Sequence, residues 1–255
     1  MKRKNILITG ASSGLGKGMA LEFAKQGCNL ALCARRMENL EDLKNDLLKV
    51  NPDIHVFLRT LDVTQSDQVF TVFRAFKEDF NAISEPLDRV IVNAGMGKGA
   101  PFGKGYAKQN METAVTNFCG VISQMEAAME IFREQNHGHL VAISSISAFR
   151  GYPWAMTVYA ATKAGLKSLA EGVRIDMLNK PIRVSTIFPG YIQSEMTDKL
   201  KNPPPFMISL DKGSRLLVKA VNKEKYNAYV PFWPWYFYKL LMPFMSLRML
   251  RRMSS

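Results

Sequence analysis

Cysteine is scarce in this sequence. Cys28, Cys33 and Cys119 are the only three in 255 residues, too few and unsuitably spaced for a disulfide framework or a zinc site. Cys28 and Cys33 flank or occupy an apolar strand-like run, where each reads as a small buried side chain. Histidine is equally rare, and His55, His137 and His139 stand at no metal-ligand spacing with acidic neighbours, so no metal centre is expected. His137 and His139 bracket Gly138 and are expected at the surface of a turn. Acidic residues are outnumbered, 22 against 34 basic ones, which leaves a formal net charge of +12. That balance points to nucleic acid, an anionic membrane surface or a phosphorylated ligand. No basic run has the aromatic interleaving of a nucleic-acid reader, and nucleic acid is not an expected partner. Long apolar runs are missing too. Behind Met1-Lys2-Arg3-Lys4 comes only Ile6-Leu7-Ile8 before Thr9-Gly10, far short of a signal-peptide core, and a cytoplasmic location is the expectation. The chain also lacks a Pro/Gly/Ser-rich linker, a low-complexity tract and a clear internal repeat.

What is present is an alternation of strand-like and helix-like segments in a chain that is 47% hydrophobic. It predicts one α/β domain over residues 1–231, with an aromatic and basic tail over 232–255. The apolar strand Asn5–Ile8 runs into Thr9-Gly10-Ala11-Ser12-Ser13-Gly14-Leu15-Gly16 and then a helix. Strand, glycine-rich turn and helix form a phosphate cradle: without Cβ the backbone turns tightly, and the helix N-terminus favours a pyrophosphate. A second strand, Asn29–Ala34, ends at Arg35-Arg36. A fold that prefers NAD offers an acid there to the ribose 2′-hydroxyl, about 20 residues past the glycines. Two arginines in its place suit a 2′-phosphate, so the expected cofactor is NADP(H). Further strands end at Asp62-Val63, at Asn93-Ala94-Gly95 and at Ser144-Ser145. The pattern predicts a parallel, doubly wound sheet, whose ligand site lies beyond the carboxyl ends of its strands.

Tyr159 and Lys163 stand four apart on a predicted helix and therefore share a face. A phenol titrates near ~10. A cation about 5 Å away at an effective dielectric of ~20 favours the phenolate by roughly 3 kcal/mol, or about two pKa units. On this reading Tyr159 exchanges a proton near neutral pH.

Together these residues resemble the short-chain dehydrogenase/reductase family. The match spans about Asn5 to Met196 and rests on Thr9-Gly10-x-x-x-Gly14-x-Gly16, Asp62-Val63, Asn93-Ala94-Gly95, Asn117, Ser145, Tyr159-x-x-x-Lys163 and Pro189-Gly190. The resemblance implies a Rossmann-like sheet of about seven strands and hydride transfer between a nicotinamide cofactor and an alcohol/carbonyl pair. It implies that Gly10, Ser12, Ser13, Gly14, Leu15 and Gly16 line the cofactor phosphates and that Asp62 and Val63 meet the adenine. Asn93, Ala94 and Gly95 would support the cofactor at a strand end, and Ile192 and Ser194 would grip the carboxamide, Ser194 standing where threonine is commoner. Tyr159 would be the general acid in reduction and the base in oxidation. Lys163 would lower its pKa and bind the nicotinamide ribose, Ser145 would hold the substrate oxygen, and Asn117 would hold a water linking the lysine to solvent. A homodimer or homotetramer is implied as well. In one departure, Ser145 precedes Tyr159 by a residue more than is usual. The extra residue falls within Pro153–Val158; Ser145 is the preferred serine, with Ser144 and Ser147 as alternatives.

Past Pro189, Asn202–Met207 reads as a stiff apolar lip. The tail, with Phe232-Trp233-Pro234-Trp235-Tyr236-Phe237-Tyr238 followed by Arg248, Arg251 and Arg252, is too short and interrupted to span a bilayer. It suits either a membrane interface at the inner face of a membrane or packing on a sheet edge or second subunit. The expected activity is NADPH-dependent reduction of a lipophilic ketone or aldehyde. The alternatives are oxidation of a steroid- or polyol-like alcohol, or a non-catalytic nucleotide-sensing protein on the same fold.

Overall fold

The computed structural model describes residues 3–195, 197 and 204–253; Met196 and the lip residues Asn202 and Pro203 lie outside them. Seven strands form one sheet: β1 (Asn5–Thr9), β2 (Asn29–Ala34), β3 (Val56–Thr60), β4 (Arg89–Val92), β5 (Gly138–Ile143), β6 (Ile182–Pro189) and β7 (Asn227–Val230). Their order is β3-β2-β1-β4-β5-β6-β7, and every pairing is parallel. The order reverses between β1 and β4, and in such sheets a crevice opens at that point beyond the strand ends.

Strands buried on both faces need continuous rather than alternating apolar runs, and β1 and β5 are buried at every position. One face is covered by α1 (Gly14–Ala24), α2 (Met37–Val50) and α7 (Leu210–Asn222). The other is covered by α3 (Ser66–Ala82), by the helical run α4 (Ala107–Ala114) and α5 (Gly120–Glu134), and by α6 (Met156–Asp176). Helical spacing sets which side chains turn inward: Leu40, Leu43 and Leu47 on α2, and Val69, Val72, Phe73, Phe76 and Phe80 on α3. Each such burial contributes about 1.5–3 kcal/mol.

Two elements depart from the sequence reading. The strand–helix alternation predicts a helix over Thr113–Arg133; the helical run starts instead at Ala107, and a π-helical turn over Val115–Cys119 separates α4 from α5. His139 is not at the surface: it is the second residue of β5 and fully buried. There its Nδ1 accepts from Arg89 Nε at 2.9 Å, and its Nε2 lies 2.9 Å from Ser185 Oγ. Two polar side chains of adjacent strands satisfy the ring inside the core, which no local pattern announces. The tail is structured as α8 (Phe232–Leu241), a 3-10 turn (Met242–Phe244) and α9 (Leu247–Met253). Trp233 is non-helical within α8. Trp235, Met242 and Leu250 are buried against the domain. Among the described residues no helix is long and apolar enough to cross a membrane.

Candidate active site

The strand ends meet as expected. Gly10 (φ +64°) and Gly14 (φ +53°) adopt left-handed conformations, which glycine accepts without strain. A Cβ on Gly16 would stand 2.3 Å from the Gly10 carbonyl oxygen, so the turn closes only with glycine there. Thr9 Oγ1 accepts from the backbone amides of Asn93 (3.0 Å) and Ala94 (3.1 Å), and Asn93 Nδ2 donates to the Thr9 and Gly10 carbonyls at 2.9 and 3.2 Å. The ends of β1 and β4 are thereby tied together. Leu15 faces the α1–α2 side of the core.

Ser13, the N-cap of α1, makes no side-chain capping bond, and the first turn of α1 holds no acidic residue. The open amides of this turn and the positive helix end fit a phosphate group. Arg36 leans over the loop, its Nη2 donating to Ser13 Oγ (3.1 Å), Ser12 Oγ (3.5 Å) and Glu195 Oε2 (3.4 Å). Arg35 is exposed beside it. Asp62 Oδ1 accepts from Thr64 N and Thr64 Oγ1, which shapes the loop after β3. Val63 packs close to Gly120, where a Cβ would come within 2.7 Å of the Val63 carbonyl oxygen. Sequence reading passed over Gly120; a glycine at the start of α5, after the π-turn, was its only signal.

Asn117 is fully buried in the π-turn, a distortion frequent at functional sites. Its Oδ1 accepts from Met96 N at 2.8 Å and its Nδ2 donates to Met96 O at 2.7 Å. The side chain thus pins the backbone after Gly95. A Cβ on Gly95 would lie 3.3 Å from Asn117 Oδ1 and 3.7 Å from Lys163 Nζ, so these three residues converge. Lys163 is buried, with Nζ donating to the Ile143 carbonyl at 2.8 Å. Burial lowers its pKa to about 8.

Of the three candidate serines, Ser144 turns away, its Oγ donating to the Lys163 carbonyl at 2.9 Å. Ser145 caps the short 3-10 turn Ile146–Phe149 by accepting from Ser147 N, and its hydroxyl stands near enough to the Tyr159 phenol to favour the ionised form. Ser147 Oγ is buried without a hydrogen-bond partner among the described residues. The anticipated fall in the Tyr159 pKa is reversed: burial pushes it above the usual phenol value, against a smaller opposing effect of the Ser145 hydroxyl. The physical reason is desolvation, which disfavours the phenolate, while the ammonium points to Ile143 O and stands 5.8 Å from the phenol ring centroid.

Pro189 ends β6, and Gly190 N donates to Val230 O. Ile192 is 3% exposed, and a Cβ on Gly213 of α7 would come within 2.4 Å of its Cγ2. It can therefore offer a ligand only its backbone. Ser194 N donates to Thr197 Oγ1, and Ser194 Cβ would be 3.5 Å from a Cβ on Gly14. A cluster of aromatic side chains from segments far apart in sequence gathers near Tyr159. The Tyr191 phenol influences Tyr159, and Tyr238 influences both Tyr191 and Tyr152. Burial raises the pKa of Tyr152 and Tyr191, so both are neutral phenols at physiological pH. Trp235 sits edge-on to Tyr191 at 5.4 Å, and its Nε1 is 2.0 Å from where a Gly190 Cβ would be. Phe206 of the lip approaches Trp235 edge-on at 6.3 Å. Trp154, within the stretch holding the extra residue, is at φ +63°.

A family model described as short chain dehydrogenase matches residues 4–204. An uncharacterized oxidoreductase of Mycobacterium tuberculosis is 44% identical over 252 residues, covering 99% of this chain and 98% of the relative. An Arabidopsis thaliana relative named 11-beta-hydroxysteroid dehydrogenase 1A is 35% identical over 201 residues, 76% of this chain and 54% of its own length. The crystal structure of levodione reductase superposes with a TM-score of 0.79 at 26% identity, covering 90% of this chain and 96% of that one.

Proposed function

Because this chain belongs to the short-chain dehydrogenase family and is an oxidoreductase acting on CH–OH/C=O groups, we propose that it is an NADPH-dependent reductase of a lipophilic ketone or aldehyde. Bound NADPH supplies the hydride. The glycine loop and the α1 N-terminus hold its phosphates, Arg35 and Arg36 take the 2′-phosphate, Asp62 and Val63 border the adenine, and Lys163 with the Ile192–Ser194 backbone holds the nicotinamide end. Tyr159 donates its proton to the carbonyl oxygen as negative charge develops there, and Ser145 donates a hydrogen bond to the same oxygen. A phenol whose pKa is lifted by burial is fully protonated at neutral pH, the form that reduction consumes. The buried Lys163 stands one helical turn beyond Tyr159, and the Asn117–Met96 pair fixes the floor behind it.

The observation carrying the reading is the Tyr159 phenol standing beside both the Ser145 hydroxyl and the buried Lys163 ammonium, the latter 5.8 Å from its ring centroid. The lipophilic assignment rests on the aromatic cluster of Tyr191, Trp235, Tyr238 and Phe206, and the hydroxysteroid dehydrogenase name of the Arabidopsis relative accords with it. Tyr159→Phe is expected to lower turnover by on the order of 10²–10⁴-fold while NADPH affinity, read by fluorescence titration, stays within about twofold. NADPH consumption against carbonyls of increasing chain length is expected to rise with apolar length. Wild-type-like turnover in the phenylalanine variant would overturn the assigned acid.

A further inference from the structure

The C-terminal segment has two faces. Trp235, Met242 and Leu250 turn inward and are buried. Arg150 locks the segment down, donating to the carbonyls of Pro243 at 3.2 Å and Met245 at 3.1 Å, and Lys239 Nζ lies over the Phe149 ring at 5.6 Å. The opposite face carries Trp233, Phe237, Leu241, Phe244 and Leu247, exposed by 66, 47, 62, 87 and 78%. Phe237, Leu241 and Phe244 follow the four- and three-residue spacing of one helical face, and the Trp233 ring meets Phe237 at 5.4 Å. So large an apolar surface, held in a fixed orientation, marks a docking face.

Charge identifies what it docks on. Residues 232–255 contain one lysine, three arginines and no acidic side chain. Arg248, Arg251, Arg252 and Trp154 line an open cavity of about 360 Å³, with the Arg251 guanidinium 5.8 Å from the Trp154 ring centroid. We propose that this face binds the surface of an anionic phospholipid bilayer. Its apolar side chains enter the acyl boundary, the arginine cavity takes a lipid phosphate, and Trp154 lies at headgroup depth, as amphipathic rings do. A second copy of the chain fits less well, because each copy would bring the same four basic side chains to the contact. The inner side of α8 sets Trp235 against Tyr191, which neighbours Tyr159, so docking also brings the proposed site near the bilayer. That last consequence rests on the proposed function; the docking itself does not.

Flotation of the full chain with phosphatidylcholine vesicles, with and without phosphatidylglycerol, tests the proposal, and melting temperature serves as a cofactor-independent check of folding. The chain is expected to float with the anionic vesicles, less with neutral ones, and to be released by high salt. Leu241→Ser with Phe244→Ser is expected to weaken partitioning by on the order of a hundredfold. Arg248→Gln with Arg251→Gln is expected to weaken it by about thirtyfold. Flotation of both variants equal to wild type would overturn the proposal. So would a wild-type chain that ignores vesicles yet sediments as a dimer that Leu241→Ser with Phe244→Ser converts to monomer, which would assign the face to a second copy.

Discussion

Arg36 is already turned over the glycine loop, with Nη2 3.1 Å from Ser13 Oγ, and Arg35 stands exposed at the same strand end. A 2′-phosphate arriving there would meet charge-assisted donors worth about 1.5–3 kcal/mol. Replacing both arginines with alanine is therefore expected to weaken NADPH binding by roughly 10–100-fold and to leave NADH binding nearly unchanged, as read by paired fluorescence titrations. Equal losses for both cofactors would place the arginines' effect in the fold rather than in phosphate recognition. Local sequence could name these arginines because their position follows from a strand end and a residue count. It could not choose among Ser144, Ser145 and Ser147. The direction of each hydroxyl depends on a 3-10 turn and on the Lys163 carbonyl, 19 residues along the chain from Ser144. The sign of the Tyr159 shift was likewise invisible, since desolvation is a property of the surrounding packing.

At the scale of elements, β4, β5 and the turn before β7 share a buried polar network. Arg89 donates to His139 Nδ1, to Asn222 Oδ1 at 2.8 Å and to Glu224 at 3.3 Å. Burial and the nearby arginines hold His139 well below its ordinary value of 6.5. For Glu224, burial alone would lift the carboxyl, but its bonds to Arg3 and Arg89 outweigh this and lower it. Both folded-state values lie below the unfolded ones, so the unfolded chain binds more protons as pH falls. Stability is then full above about pH 6.5 and declines below it, with His139 contributing a slope of up to about 1.4 kcal/mol per pH unit. His139→Gln keeps hydrogen-bonding capacity without the titration. Calorimetric melting is expected to show a flatter acid limb for this variant, and an unchanged limb would remove His139 from the account. The strand itself was legible from Leu140–Ile143. The histidine's burial was not, because its partners sit on other strands.

For the whole molecule, the decisive contact is that of the tail with the Pro189-Gly190-Tyr191 corner. Trp235 is 4% exposed and packs on Gly190. Trp235→Ala is expected to destabilise the protein by about 3–5 kcal/mol, to open the 232–253 segment to protease, and to raise KM for apolar carbonyls more than it lowers kcat. Limited proteolysis and steady-state kinetics on the same preparation check this. A variant that keeps the tail protected and KM unchanged would show that the corner is held by other contacts.

The strand and helix order, the glycine loop, the arginine pair and the Tyr159/Lys163 face were legible along the chain. Each of these follows from local periodicity, from residues that permit or forbid a backbone conformation, or from a count along one element. Packing between distant segments decided which serine stands beside Tyr159, that burial outweighs Ser145 in setting the phenol's proton, and that Asn117 grips Met96 from a π-turn. It also decided that Trp235 of the tail packs on Gly190 while the Phe237, Leu241 and Phe244 side chains are exposed. These depend on distances between residues remote in sequence and on how much water packing excludes, and neither quantity is written in any one segment.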